Sequence, residues 1–198
     1  MRTPLLLTFA ALASVAWPVS SAVAQDGASR TIDGFNGLPW SASATAVRAM
    51  HGVPQQTDTL DDGVIVMAYD DTLLQRPATT LYALLDGRGL VKGQHVAQLD
   101  LEAGDCEGQY RRYRDLVTLR FPLIRPVENY DYPFTMSFCE AVEARNGTWG
   151  TQWRDETTGS VVTVVVEEGT DVVKLIFESR TFREWVGADS DPGDDGLE

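Results

Sequence analysis

Histidine and cysteine are scarce in this chain of 198 residues, with two of each. His51 and His95 are too few to build a zinc centre or a hydrolase site by themselves, and no H-E-x-x-H, G-x-S-x-G, P-loop or C-x-x-C pattern accompanies them. Both read as surface or hydrogen-bonded structural histidines, and no metal and no cofactor is expected. Basic residues are also in deficit. Lys and Arg number 16 against 29 Asp and Glu, a net charge of −13. Such a surface repels phosphate backbones and anionic headgroups, so nucleic acid is not an expected partner. Long apolar runs are missing as well. The stretch 5–16 is interrupted by Thr8 and Ser14. It is shorter than the roughly 20 apolar residues that span a bilayer.

That short run has another reading. Arg2 precedes it, Pro18 and Ser20-Ser21 follow it, and Ala22-Val23-Ala24 offers the small residues that a signal peptidase cleaves after. Residues 1–24 therefore read as an export signal. Position 25 is Gln and not Cys, so no lipoprotein membrane anchor is expected. The expectation is a soluble protein in the periplasm or outside the cell. In an oxidising compartment Cys106 and Cys139 read as a disulfide. Its long loop makes it worth about 3–4 kcal/mol. The alternative is a reactive Cys106 thiolate at a helix start, which Asp105 and Glu107 oppose by charge.

Residues 25–34 are polar and read as a flexible leader. A helix is expected from Ser41 or Ser43 to Met50, with Val47 and Met50 on one face and Gly52 and Pro54 as its stop. Strands follow at 64–69, 79–85 and 90–99, the last two joined by Asp86-Gly87-Arg88-Gly89. Cys106, Tyr110, Tyr113 and Val117 form a helical stripe over 106–120, with Asp105 as its N-cap. Pro122, Pro126 and Pro133 make 121–134 a loop, and 137–145 a short helix ended by Asn146-Gly147. The β pattern then strengthens. Trp149, Thr151 and Trp153 share a strand face, 161–167 is apolar enough to be central, and Val173, Leu175 and Phe177 alternate with polar residues. From Gly187 the chain reads as a disordered acidic tail.

The fold class is therefore α+β, an antiparallel sheet packed by helices. The order of elements fits two degenerate helix-plus-sheet repeats, 35–100 and 101–186, sharing one core. Gly37-Leu38-Pro39-Trp40-Ser41, Val47, Met50, His51-Gly52-Val53-Pro54 and Asp86-Gly87-Arg88-Gly89-Leu90 resemble the opening of small bacterial envelope domains. That group includes the small outer-membrane-assembly lipoproteins and the fold of the β-lactamase inhibitor protein, two such units in tandem. The resemblance implies an α+β fold and a protein-binding habit, with no catalytic residues to carry over.

Two features are candidates for a binding surface. Arg111, Arg112, Arg114, Arg120 and Arg125 gather five of the 16 basic residues. They read as a solvated helix face balanced by acidic neighbours, or as a site for an anion or an acidic partner. Tyr130, Tyr132, Phe134 and Phe138, with Trp149 and Trp153 beyond, read as core filling or as an aromatic hot spot. Asn146-Gly147-Thr148 fits a glycosylation sequon, and 189–196 faintly resembles a calcium loop that lacks its closing Glu. The leading expectation is a non-enzymatic domain that binds another exported or envelope protein. The alternative is a small exported enzyme with a carboxylate-based site.

Overall fold

A computed structural model describes residues 30–60, 62–131, 135–167 and 170–189. Residues 1–24, read above as an export signal, lie outside the described residues, as do Tyr132, Phe134, residues 25–29 of the expected leader, part of the 168–171 turn and residues 190–198. Within the described residues the fold is α+β. The elements are β1 (Gly34–Phe35), β2 (Leu38–Pro39), α1 (Ala44–His51), β3 (Gln56–Thr59), β4 (Val64–Leu73), β5 (Arg76–Leu85) and β6 (Gly89–Gln98). Then come α2 (Cys106–Arg120), β7 (Pro126–Asp131), α3 (Phe138–Glu143), β8 (Thr148–Arg154), β9 (Val161–Val166), β10 (Val172–Glu178) and α4 (Arg180–Asp189). No helix among the described residues is long and apolar enough to cross a membrane.

β3 to β10 form one antiparallel sheet in the order β3-β4-β5-β6-β10-β9-β8-β7. Each half runs inward from its edge in chain order, and the halves meet at their last strands, where His95 lies opposite Leu175. The alternation of each strand selects the packed face. Met67, Tyr82, His95, Leu175, Val164, Thr151 and Trp153 point inward and are buried. On that face α1 contributes Val47, and α2 contributes the stripe Cys106, Tyr110, Tyr113 and Val117, all nearly inaccessible. α4 lies on the opposite face, where Phe182 stacks under the Lys92 ammonium.

The segment before α1 is a plug through the core, not a flexible leader in its described part. Asn36 and Gly37 both take positive φ (49° and 77°), giving the tight two-residue turn between β1 and β2. The hairpin delivers Phe35 against Tyr82, His95 and Phe177 from three strands. Gly93 is required beneath it, because a Cβ there would sit 2.0 Å from the Phe35 ring. Ile32 N donates to Asp155 Oδ2 at 2.8 Å, and Trp40 Nε1 donates to Ser160 Oγ at 3.1 Å. One short segment thus ties the two halves of the sheet together.

Several elements depart from the sequence expectations for identifiable reasons. β4 does not end at Asp70-Asp71 but continues to a turn at Leu74-Gln75, whose φ values of 52° and 65° are carried by residues without turn chemistry. Met50 is half exposed although it follows Val47 by three. The α1 N-cap is Ser43, whose hydroxyl accepts from Ala46 N. Asp105 occupies the α2 N-cap position without accepting a cap bond and pairs with Arg112 instead. Residues 126–131, expected as loop, are the edge strand β7: the first residue of an edge strand tolerates Pro126. α4 runs past Gly187, where a tail was expected. β3 is entirely polar and exposed, so no apolar pattern announced it.

Candidate functional site

The Cys106–Cys139 disulfide joins the start of α2 to the first turn of α3, with a Cα–Cα distance of 5.7 Å. This settles the two cysteines as a covalent staple. α3 is held in place by a capping box in which Ser137 and Glu140 satisfy each other's backbone N–H groups. The staple seats Phe138 against Tyr110 and Trp149, with ring centroids 5.5 Å and 4.9 Å apart. β7 pairs with β8 so that Tyr130 lies directly opposite Trp149. The Tyr130 ring meets Tyr110 edge-on at 6.4 Å.

These elements enclose a cavity of about 130 Å³ lined by Glu107, Tyr110, Arg111, Arg114, Glu128, Tyr130, Phe138 and Trp149. Its floor carries an ordered run of hydroxyls. Tyr110 Oη donates to Val164 O at 3.3 Å, so its oxygen accepts from Thr151 Oγ1 at 3.0 Å, and Thr151 accepts in turn from Tyr130 Oη at 3.3 Å. Burial pushes the Tyr110 pKa well up, which keeps that hydroxyl protonated. Tyr130, at 41% exposure, forms the open side.

The arginines are matched at the rim. Arg111 pairs with Glu107 within α2, and Arg114 reaches Glu128 on β7 at 3.1 Å and Asp115 at 3.2 Å. Burial opposes the charge on Arg114, but hydrogen bonds to Asp115 and Tyr130 outweigh it and raise its pKa. Arg112 turns away and pairs with Asp105 at 3.4 Å. The structure therefore brings Arg111, Arg114 and Tyr130 to one cavity and leaves Arg112 out. The ion pairs of Arg111, Arg112 and Arg114 fit the solvated-face reading of those three arginines. Exposed pairs of this kind are worth about 1 kcal/mol or less each. Phe138, Trp149 and Trp153 are core residues.

Both histidines belong to a second polar group, on the inner face of the other half. Thr80 Oγ1 donates to Asp71 Oδ2 at 2.6 Å and lies 2.8 Å from His95 Nδ1. His95 Nε2 is 3.2 Å from Asn36 Oδ1, Asn36 Nδ2 donates to Tyr82 Oη at 3.2 Å, and Tyr82 Oη is 2.7 Å from His51 Nε2. This chain runs from Asp71 through the core to the end of α1. Burial lowers the pKa of His95 to about 4, with the Asp71 carboxylate opposing the shift. His51 is lowered for the same reasons in the same order. His95 thus has both ring nitrogens hydrogen-bonded, and His51 is held through its Nε2. No group of three or more potential metal ligands occurs among the described residues.

No family model, no curated protein and no solved structure matches this chain. Two parts of the α2–β7 cavity escaped the sequence reading. Thr151 was legible only as an inward strand residue, and the strand character of Val127 and Tyr130 was masked by flanking prolines.

Proposed function

We propose that this is an exported, non-enzymatic domain that binds an extended segment of another exported or envelope protein along β7, with one side chain of that segment entering the α2–β7 cavity. One observation carries the reading. β7 is a sheet edge, hydrogen-bonded to β8 on one side only, and it borders a cavity walled by aromatic rings. An unpaired edge offers backbone donors and acceptors to an added strand, and pockets beside it select side chains. Val127 is 69% exposed on this edge and offers an apolar contact to an added strand. The opposite edge, β3, is shorter, and none of its own residues lines either cavity. The disulfide supports the exported part of the reading, since such bonds persist in oxidising compartments. The arginine rim, already paired with carboxylates, favours an uncharged or mixed side chain over a strongly acidic one.

The test is site-specific photo-crosslinking in the producing cell. A photoreactive residue at position 127 should capture a defined peptide of one partner, and the same residue at position 57 on β3 should not. Val127→Lys combined with Tyr130→Phe should abolish capture by a probe at position 129 while lowering stability in urea by no more than about 1–2 kcal/mol. Equal labelling from both edges, or none from β7, would sink the proposal.

A further inference from the structure

The outer face of the sheet holds a second cavity, remote from β7. It has a volume of about 260 Å³ and is lined by Leu60, Val64, Val66, Leu81, Ala83, Lys92, Gln94, Phe182 and Trp185. Its floor is the outward residues of β4, β5 and β6. Its roof is α4, whose Phe182 and Trp185 lie one turn apart with ring centroids at 5.7 Å. Three adjacent strands at ~4.8 Å spacing give the floor a width of about 10 Å. α4 is moored at its start: Ser179 Oγ accepts from Phe182 N at 3.1 Å, and Arg183 Nη1 donates to Gly159 O at 2.9 Å. Trp185 lies beyond these anchors, toward Leu60, which is 49% exposed at the mouth.

The charge at this site is already spent. Lys92 Nζ lies 2.9 Å from Glu178 Oε1 and 4.6 Å from the centre of the Phe182 ring, so it offers no uncompensated cation to a ligand anion. Gln94 is the only other polar residue of the lining. A carboxylate or ammonium entering here would lose hydration without gaining a partner. Size then bounds the occupant, since an apolar cavity of roughly 150 Å³ accepts a single benzene ring. We infer that this cavity binds an uncharged, apolar small molecule about the size of two fused rings, held between the β4–β6 floor and the Phe182–Trp185 roof. The concave floor under a helix roof favours a small molecule over a flat protein contact. The inference is independent of the β7 reading.

Titration with the uncharged two-ring dye 1-naphthylamine tests it. Fluorescence should rise saturably to one dye per chain. Ala83→Trp, which fills the cavity from the floor, should weaken binding about tenfold or more, while Val165→Trp, on the outer face of β9, should leave it within about twofold. The sulfonated analogue 1-naphthylamine-5-sulfonate should bind at least about tenfold more weakly than the uncharged dye. If Ala83→Trp fails to fold, Leu60→Asp at the exposed mouth carries the same expectation. The inference is overturned by the absence of saturable binding, by indifference to both cavity substitutions, or by equal affinity for the sulfonated dye. It is overturned too by sedimentation showing a dye-free dimer that either substitution dissociates, because the occupant would then be a second copy of the chain.

Discussion

Acidification from pH 7 to pH 5 should destabilise the protein mainly through His95. The imidazole is 6% exposed and its pKa is lowered from 6.5 to about 4, so between these values the unfolded chain holds a proton that the folded chain does not. Stability therefore falls as pH falls through this window, is constant above it, and loses nothing more from this group below about pH 4. At pH 5 the loss from His95 alone is about 2 kcal/mol, and it approaches about 3 kcal/mol at the lower end. His51, lowered by burial, adds a loss of the same sign.

Hydrogen bonding works the other way, and that makes the prediction informative. With Asn36 Oδ1 facing Nε2, the neutral ring carries its proton on Nε2, and the single Thr80 proton is contested between His95 Nδ1 and Asp71 Oδ2. A charged ring would donate at both nitrogens and resolve the contest. Burial nevertheless prevails, since charging an imidazole in the core costs more than one improved hydrogen bond of about 1–2 kcal/mol returns. Urea unfolding followed by tryptophan fluorescence at pH 7, 6 and 5 measures the slope. His95→Gln should remove most of it, whatever that substitution does to absolute stability. Asp155 does not confuse the window. Burial raises its pKa, but hydrogen bonds from Ile32, Thr158 and Thr157 outweigh this and hold it below 3.8. An unfolding midpoint unchanged between pH 7 and pH 5, or an equal slope in His95→Gln, would refute the argument.

Two further perturbations follow from the fold. Replacing both Cys106 and Cys139 with Ala should cost about 3–4 kcal/mol, because their separation of 33 residues closes a long loop in the unfolded chain; a loss below about 1 kcal/mol in urea unfolding would count against the loop-entropy account. Replacing Leu74-Gln75 with Asn-Gly should raise stability by about 1 kcal/mol, because both positions hold positive φ in a two-residue hairpin that Asn and Gly favour; an unchanged or lowered thermal midpoint would show that the turn is not strained.

The inner face of the sheet was readable because burial imposes a period. Cys106, Tyr110, Tyr113 and Val117 on α2, and Val173, Leu175 and Phe177 on β10, repeat at helix and strand spacing and are all buried. The hairpin at Asp86 to Gly89 was readable because its glycines meet positive φ. Leu74-Gln75 gave no such notice, since the neighbouring ladders of β4 and β5 impose the turn on residues that do not favour it. The hydrogen-bond chain from Asp71 to His51 was also illegible, because it assembles side chains from five separate segments that only the closed sheet brings together.

The elements that the sequence concealed share a physical property. β3 and β7 are edge strands whose described side chains are all exposed, and α4 rests on the outer face with Phe182 and Trp185 over the cavity. Periodicity reports how much apolar surface an element surrenders to the core, so elements that surrender little carry a weak signal. The spacing of Phe182, Trp185 and Val186 behind the Ser179 cap was the available sign of α4, and the glycine and acid beyond it obscured that sign. Weak commitment to the core is also what leaves backbone and side chains free for other contacts. β7 keeps one side of its ladder unpaired, and α4 covers an apolar cavity without filling it. A core substitution such as Trp153→Ala should therefore unfold the scaffold before it informs on binding, whereas Val127→Lys and Ala83→Trp address the two faces with the core intact. The decisive comparison is between those two variants. If each disables only its own ligand, the edge and the cavity are separate sites on one rigid sheet.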